Sequence, residues 1–282
     1  MVARGVAAGL VVGGCAGGDG AADDAPVRDA ADQASIDILV ALGDVVAALQ
    51  EERVVTQSAL LGDPDTPDAP SFGQAVRATE QAMGALGDEL EELEEADPTA
   101  GLELQMAYTE LGGDLAIVRN ERVLALPTAG GSYHDGGVLA GRFDGLVAPL
   151  LDLEDRLAAA IDDPGMAPLA EIHAEVSRQI ERIEQLVALV TRAGSGGEPA
   201  TQDEIEAAYA PVTEARPVFA DLAAGTDVAE ATERLNGTLD AAGFGGPVAD
   251  DRGVPSDLLV PSLELGAWQA YRDVVRDHIR AA

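Results

Sequence analysis

The stretch Ser35–Leu61, SIDILVALGDVVAALQEERVVTQSALL, decides the fold class. At about 100° per residue, Ile38, Leu42, Val45, Leu49, Thr56 and Leu60 fall within one stripe about 60° wide, which is the pattern of an amphipathic helix. The stripe has to be covered by other helices. Working outward from it, the same period recurs between Gly/Pro/Asp clusters, and roughly eight helical segments follow one another, at about 33–62, 71–96, 101–126, 137–162, 166–193, 201–224, 227–242 and 257–281. Breaks such as Gly62-Asp63-Pro64, Asp97-Pro98 and Asp163-Pro164-Gly165 join helix stops to helix starts, and Thr201-Gln202-Asp203-Glu204 reads as a capping box. Pro211 and Pro217 are expected to kink or split the sixth segment. No alternating strand pattern is present. Short connections make neighbours antiparallel, so the expected fold is all-α: antiparallel helical bundles, two of four helices each, with a boundary between sub-bundles near residues 163–166.

Composition agrees with this and removes some functions. The 282 residues carry 17 basic and 51 acidic side chains, a net charge of −34, and every basic residue is Arg. Such a chain offers no electrostatic footprint for nucleic acid. Apolar residues make up 47% and aromatics 3%, so the core has to be built from Leu, Val, Ile and Ala. His134, His173 and His278 stand far apart with no metal-ligand spacing, His173 in Glu171-Ile172-His173-Ala174-Glu175 reading as a helix-surface residue. No nucleophile elbow or phosphate loop occurs. The sequence therefore points to no catalytic residue, no metal and no cofactor. The acidic run Asp88–Glu95 reads as a solvated face around Leu86, Leu90 and Leu93.

At the N-terminus, Arg4, an apolar stretch and Val12-Gly13-Gly14-Cys15 resemble a bacterial lipobox. This divides the chain into a signal peptide (1–14), a Gly/Ala/Asp tether (15–34) beginning at a lipidated Cys15, and a helical domain (35–282). The other reading of Cys15 is a buried free thiol. With a single Cys, no internal disulfide forms.

Three arginines fall on helix faces that should be buried. Arg53 lies about 40° from the centre of the first stripe. On the third segment Arg122 sits on the axis defined by Leu104, Tyr108, Leu111, Leu115 and Val118, with Arg119 about 60° away. A guanidinium in an apolar interior needs a partner. That partner is either a carboxylate of this chain, with Glu52, Glu121 and Glu184 as candidates, or an anion from outside. Arg77 and Arg182 compute to flanking or outward positions.

Ala48–Leu61 also resembles the opening helix of the NIT domain, the nitrate- and nitrite-sensing family, which reads Leu-Gln-x-Glu-Arg-Gly. Later features keep the family's order: Gln74–Glu80, Leu115-Ala116-Ile117-Val118-Arg119, the Glu181–Ala193 helix, and a closing helix with Trp268. Val54 stands in place of the Gly, Val76 in place of a Gln before Arg77, and Gln185 about where the family's fifth helix carries an Arg. The resemblance implies a sensor of two four-helix bundles that binds nitrate or nitrite through interior arginines, Arg53 first and Arg119 next; Arg122 is added by its place on the stripe. Together with the lipobox it implies a lipid-anchored, extracytoplasmic signalling module without catalysis, acting through a separate membrane protein and compatible with a homodimer. The competing reading is a structural or interaction lipoprotein of the same fold whose arginines are paired internally and which has lost anion binding. A solute-capture protein for a transporter ranks below both.

Overall fold

A computed structural model describes residues 30–61, 72–96, 98–125, 133–191, 200–241 and 259–281. The proposed signal peptide, Cys15, the tether up to residue 29 and the Gly/Pro-rich stretch 243–256 lie outside the described residues. Those described are almost entirely helical, with no strand among them: α1 (Ala30–Leu61), α2 (Phe72–Ala96), α3 (Pro98–Ala125), α4 (Tyr133–Ala160), α5 (Ala167–Thr191), α6 (Gln202–Ala223), α7 (Ala229–Ala241) and α8 (Leu259–Ala281). The all-α expectation holds, and the eight segments match the eight helices to within a few residues.

The first four helices close around one aliphatic core. From α1 come Ile38, Leu42, Val45 and Leu49; from α2, Leu86, Leu90 and Leu93; from α3, Leu111, Leu115 and Val118; from α4, Phe143, Val147 and Leu151. Every α1 stripe residue up to Thr56 is buried, as its spacing requires. The leucines of the acidic run point inward while most of its carboxylates stay in water. The α2–α3 hairpin is tight enough to need Gly101, where a Cβ would lie 2.5 Å from the Glu94 Cα.

Helices α5–α8 enclose a second core, in which Trp268 meets Phe219 at 4.8 Å and Tyr271 at 6.2 Å between ring centroids. The early turns of α1 (Ile36, Leu39, Val40), Ala158 at the end of α4 and Ile161 just after it reach into this core too. Both bundles therefore share α1 and α4, and α5 packs on α1, α4, α6 and α8.

Two expectations need correction. Pro211 and Pro217 do not split the sixth segment, since α6 runs as one helix from Gln202 to Ala223. Burial of Val212, Ala215 and Phe219 against the second core holds it through both prolines, and its start is fixed by the capping box, with Thr201 Oγ1 accepting from the Glu204 N–H and Glu204 Oε2 accepting from the Thr201 N–H. His173 is not on a surface but 1% exposed. Its acidic neighbours in sequence suggested water, but α5 is the central helix and is covered on several sides.

Candidate functional site

The two bundles meet along a buried polar seam. Its α5 side is formed by His173, Ser177, Glu181 and Glu184, all buried, within about 80° of one another on the helix. Facing them are α1, with Gly43, Gln50 and Arg53, and α4, with Asp144 and Glu154.

At one end Arg53, 3% exposed, grips Glu181 with both ends of its fork, Nη1 to Oε1 at 2.7 Å and Nη2 to Oε2 at 2.9 Å. Its Nη2 also donates to Glu184 and its Nη1 to Asp144. Gln50 and Gln185 donate to the two Glu181 oxygens at 3.0 and 2.9 Å. Burial works against the Arg53 charge, but the Glu181 hydrogen bond and the neighbouring carboxylate charges outweigh it, so its pKa rises. One cation facing three carboxylates leaves acid in excess. Accordingly, burial pushes Glu184 up to about 7, Arg53 offsetting only part of the effect, and raises Asp144 as well.

A second cluster lies inside the first bundle, with the opposite balance. Glu52, fully buried, accepts from Arg119 Nε (2.9 Å) and Arg122 Nη1 (3.0 Å) on Oε1, and from Arg119 Nη2 (2.7 Å) and Thr79 (2.8 Å) on Oε2. Burial would raise its pKa, but these four donors and the Arg119 charge hold it below the usual carboxylate value. Two guanidinium groups thus share one buried carboxylate. Exposed Glu80 reaches Arg119 only at 3.4 Å. The Arg122 guanidinium carbon sits 3.5 Å from the Phe72 ring centroid, a cation–π contact, and its Nε is buried with no hydrogen-bond partner. Burial lowers the Arg122 pKa, with Glu52 acting against that. Beside the cluster an open groove of about 480 Å³ runs between α2 and α3, lined by Met83, Gly84, Tyr108, Leu115, Arg119 and Asn120 among others.

The structure therefore splits the three arginines read from the sequence, Arg119 and Arg122 together on Glu52 and Arg53 apart on the seam. Of the carboxylates named as partners, Glu52 and Glu184 hold these arginines, while Glu121 pairs with Arg142. Arg77 is exposed, and Arg182 bonds Glu175 at 2.9 Å.

A family model described as nitrate and nitrite sensing matches residues 44–251. The chain belongs to the NIT family. No curated protein and no solved structure gives a significant match. The NIT match takes in Arg53, Arg119, Arg122 and every carboxylate that holds them, whereas α8 lies beyond it. Gly43, Asp144, Glu154, Ser177 and Arg272 were not singled out in the sequence. The spacing of His173, Ser177, Glu181 and Glu184 was the available signal for a polar face on α5.

Proposed function

We propose that this NIT chain is a non-catalytic sensing module for nitrate or nitrite, lipid-anchored through Cys15 on the extracytoplasmic side, that signals through a separate membrane protein. Among the described residues no helix is long and apolar enough to cross a membrane; the attachment proposed here is the lipid on Cys15, read from the Val12–Cys15 lipobox.

The observation that carries the ligand reading is that Arg119 and Arg122 share one buried carboxylate, Glu52, with the exposed Glu80 as their only further carboxylate among the described residues, beside a groove that reaches solvent. A planar anion with three acceptor oxygens suits the guanidinium fork. A net charge of −34 repels anions at long range, but screening confines that repulsion to about 8–10 Å at ordinary ionic strength. At Arg53 an incoming anion has to displace a carboxylate, and Glu184 is the one whose protonation would release it. Anion binding there is favoured as pH falls through about 7.

Saturation of the Arg53 fork by Glu181, Glu184 and Asp144 favours the second reading, a helical interaction lipoprotein that has lost anion binding at this position. Calorimetric titration with nitrate, nitrite and chloride at matched ionic strength separates the two. The sensing reading expects nitrate or nitrite binding that Arg119→Gln weakens by about tenfold or more, the loss of one charged hydrogen bond. Absence of nitrate and nitrite binding between pH 5.5 and 7.5 would refute it. Unchanged affinity in Arg53→Gln would remove Arg53 from the site.

A further inference from the structure

Helix α3 is apolar on two sides. Leu111, Leu115 and Val118 turn into the first core, and the helix packs on α2 and α4. At about 100° per residue, Leu102, Met106, Thr109, Gly113, Ala116 and Ile117 share an arc about 100° wide on the other side, and all six are exposed. No charged residue of α3 falls within that arc. Leu102, Met106 and Ile117 are 56%, 66% and 55% exposed; among the described residues only three other large aliphatic side chains are exposed, Val54, Val138 and Val218, one each on α1, α4 and α6. A helix that is apolar all round normally lies between others, and a contiguous apolar patch on a protein surface marks an interaction site.

On its α2 side the arc runs on into the groove of about 480 Å³. The groove walls are low because Gly84 and Gly112 carry no side chain: a Cβ on either, or on Gly113, would meet nothing within 4 Å. From Leu102 to Asn120 the face is about 27 Å long, five turns of helix. Another helix laid along it comes close over the glycines.

The rim of this face is acidic. Glu103, Glu110 and Asp114 stand exposed along one edge of the arc, and Glu80, its side chain 60% exposed, stands at the groove. The two cations of α3, Arg119 and Arg122, are both held by Glu52. That rim decides what covers the face. A second copy of the chain would set carboxylates against carboxylates, since a two-fold interface joins one patch to itself. An anionic membrane surface is repelled for the same reason. A segment with Lys or Arg beside an apolar stripe is instead attracted and steered.

We propose that the outer face of α3 and the adjoining α2–α3 groove form the docking surface for one amphipathic helix of a different protein, its apolar stripe flanked by Lys and Arg. This rests on the reading of the chain as a module that acts through a separate protein, and it gives that protein its place of contact.

A photo-reactive benzoylphenylalanine in place of Thr109, in the full chain in its own cells, should cross-link to a second protein. Sequencing of the cross-linked peptide should give a segment with apolar residues at every third or fourth position and Lys or Arg beside them, and the same probe in place of exposed Glu233 on α7 should not reach that segment. The synthetic segment, titrated into the purified protein, should bind with an affinity that Ile117→Glu lowers about tenfold or more, as for the loss of an apolar anchor, and that falls as salt is raised. Met106→Glu, at an equally open position, should do the same and serves if Ile117→Glu unfolds. Cross-linking only to another copy of the chain, to this chain itself, to lipid or to nothing overturns the proposal. So does a cross-linked segment without basic flanks, or peptide binding unchanged in both variants. Ile117 lies on the far side of α3 from Arg119 and Arg122, so Ile117→Glu should leave nitrate binding as in wild type. Nitrate binding without the cross-link therefore refutes the docking face alone, and the cross-link without nitrate binding refutes only the anion reading.

Discussion

Replacing Glu154 with Gln should stabilise the protein, by an amount that depends on pH. In the unfolded chain this carboxyl ionises near 4.5, and in the folded protein it keeps its proton up to about 8. Between those values the native state binds the extra proton, so this group makes stability fall as pH rises, about tenfold in the folding constant per pH unit. Across the roughly 2.5 units from 4.5 to 7 the cost of keeping Glu154 is about 3 kcal/mol, and it levels off at about 5 kcal/mol above pH 8. The Glu154→Gln variant is a near-isosteric neutral and does not carry that cost. Urea unfolding of both proteins at pH 4.5, 6, 7 and 8 in one buffer anion gives the difference by linear extrapolation. The expected result is near-equality at pH 4.5 and a variant advantage that grows steadily to pH 8. An advantage independent of pH, or a variant weaker than wild type at pH 7, would refute the assignment of a protonated Glu154.

Three other outcomes follow from the packing and the pairs. Gly43→Ala should lower stability by about 1–3 kcal/mol, because its methyl would overlap the His173 ring; an unchanged urea midpoint would show that α1 and α5 can separate freely there. Glu52→Gln leaves Arg119 and Arg122 together without their shared countercharge and should cost about 3–5 kcal/mol, read in the same unfolding assay, whereas a loss under 1 kcal/mol would mean that the two guanidiniums are solvated. Thr201→Ala removes the α6 cap and should cost about 1 kcal/mol; the effect should appear as a small drop in the unfolding temperature, and none would mean that the Glu204 side of the capping box suffices.

The fold was legible because its causes are local. Stripes on α1, α2 and α3 fix which residues turn inward, and breakers set the helix ends. Arg53 and Arg122 were readable as buried for the same reason. Which carboxylate each would meet was not, since Glu181 and Glu184 lie about 130 residues from Arg53, and periodicity within a helix says nothing of its partner across an interface. His173 was misread because Glu171 and Glu175 on either side of it suggest water, and only the placement of α5 against several helices shows that the His173 side of the helix is covered. The groove between α2 and α3 comes from small residues such as Gly84 and Gly112, which carry no periodic signal.

The polar seam also limits how the two bundles can move. Along α1 and α5 the register is gauged at two marks, Gly43 against His173 and Arg53 against Glu181 and Glu184, ten residues or about 15 Å apart on α1. A one-turn slide of about 5.4 Å would set Val46 or Ala47 where only glycine fits, and would pull the Arg53 fork off its carboxylates at the same time. The pair therefore behaves like a vernier with a single matching position. Any change of state passed between the bundles has to be a tilt, a twist or a parting of helices about that fixed register, not a ratchet along it.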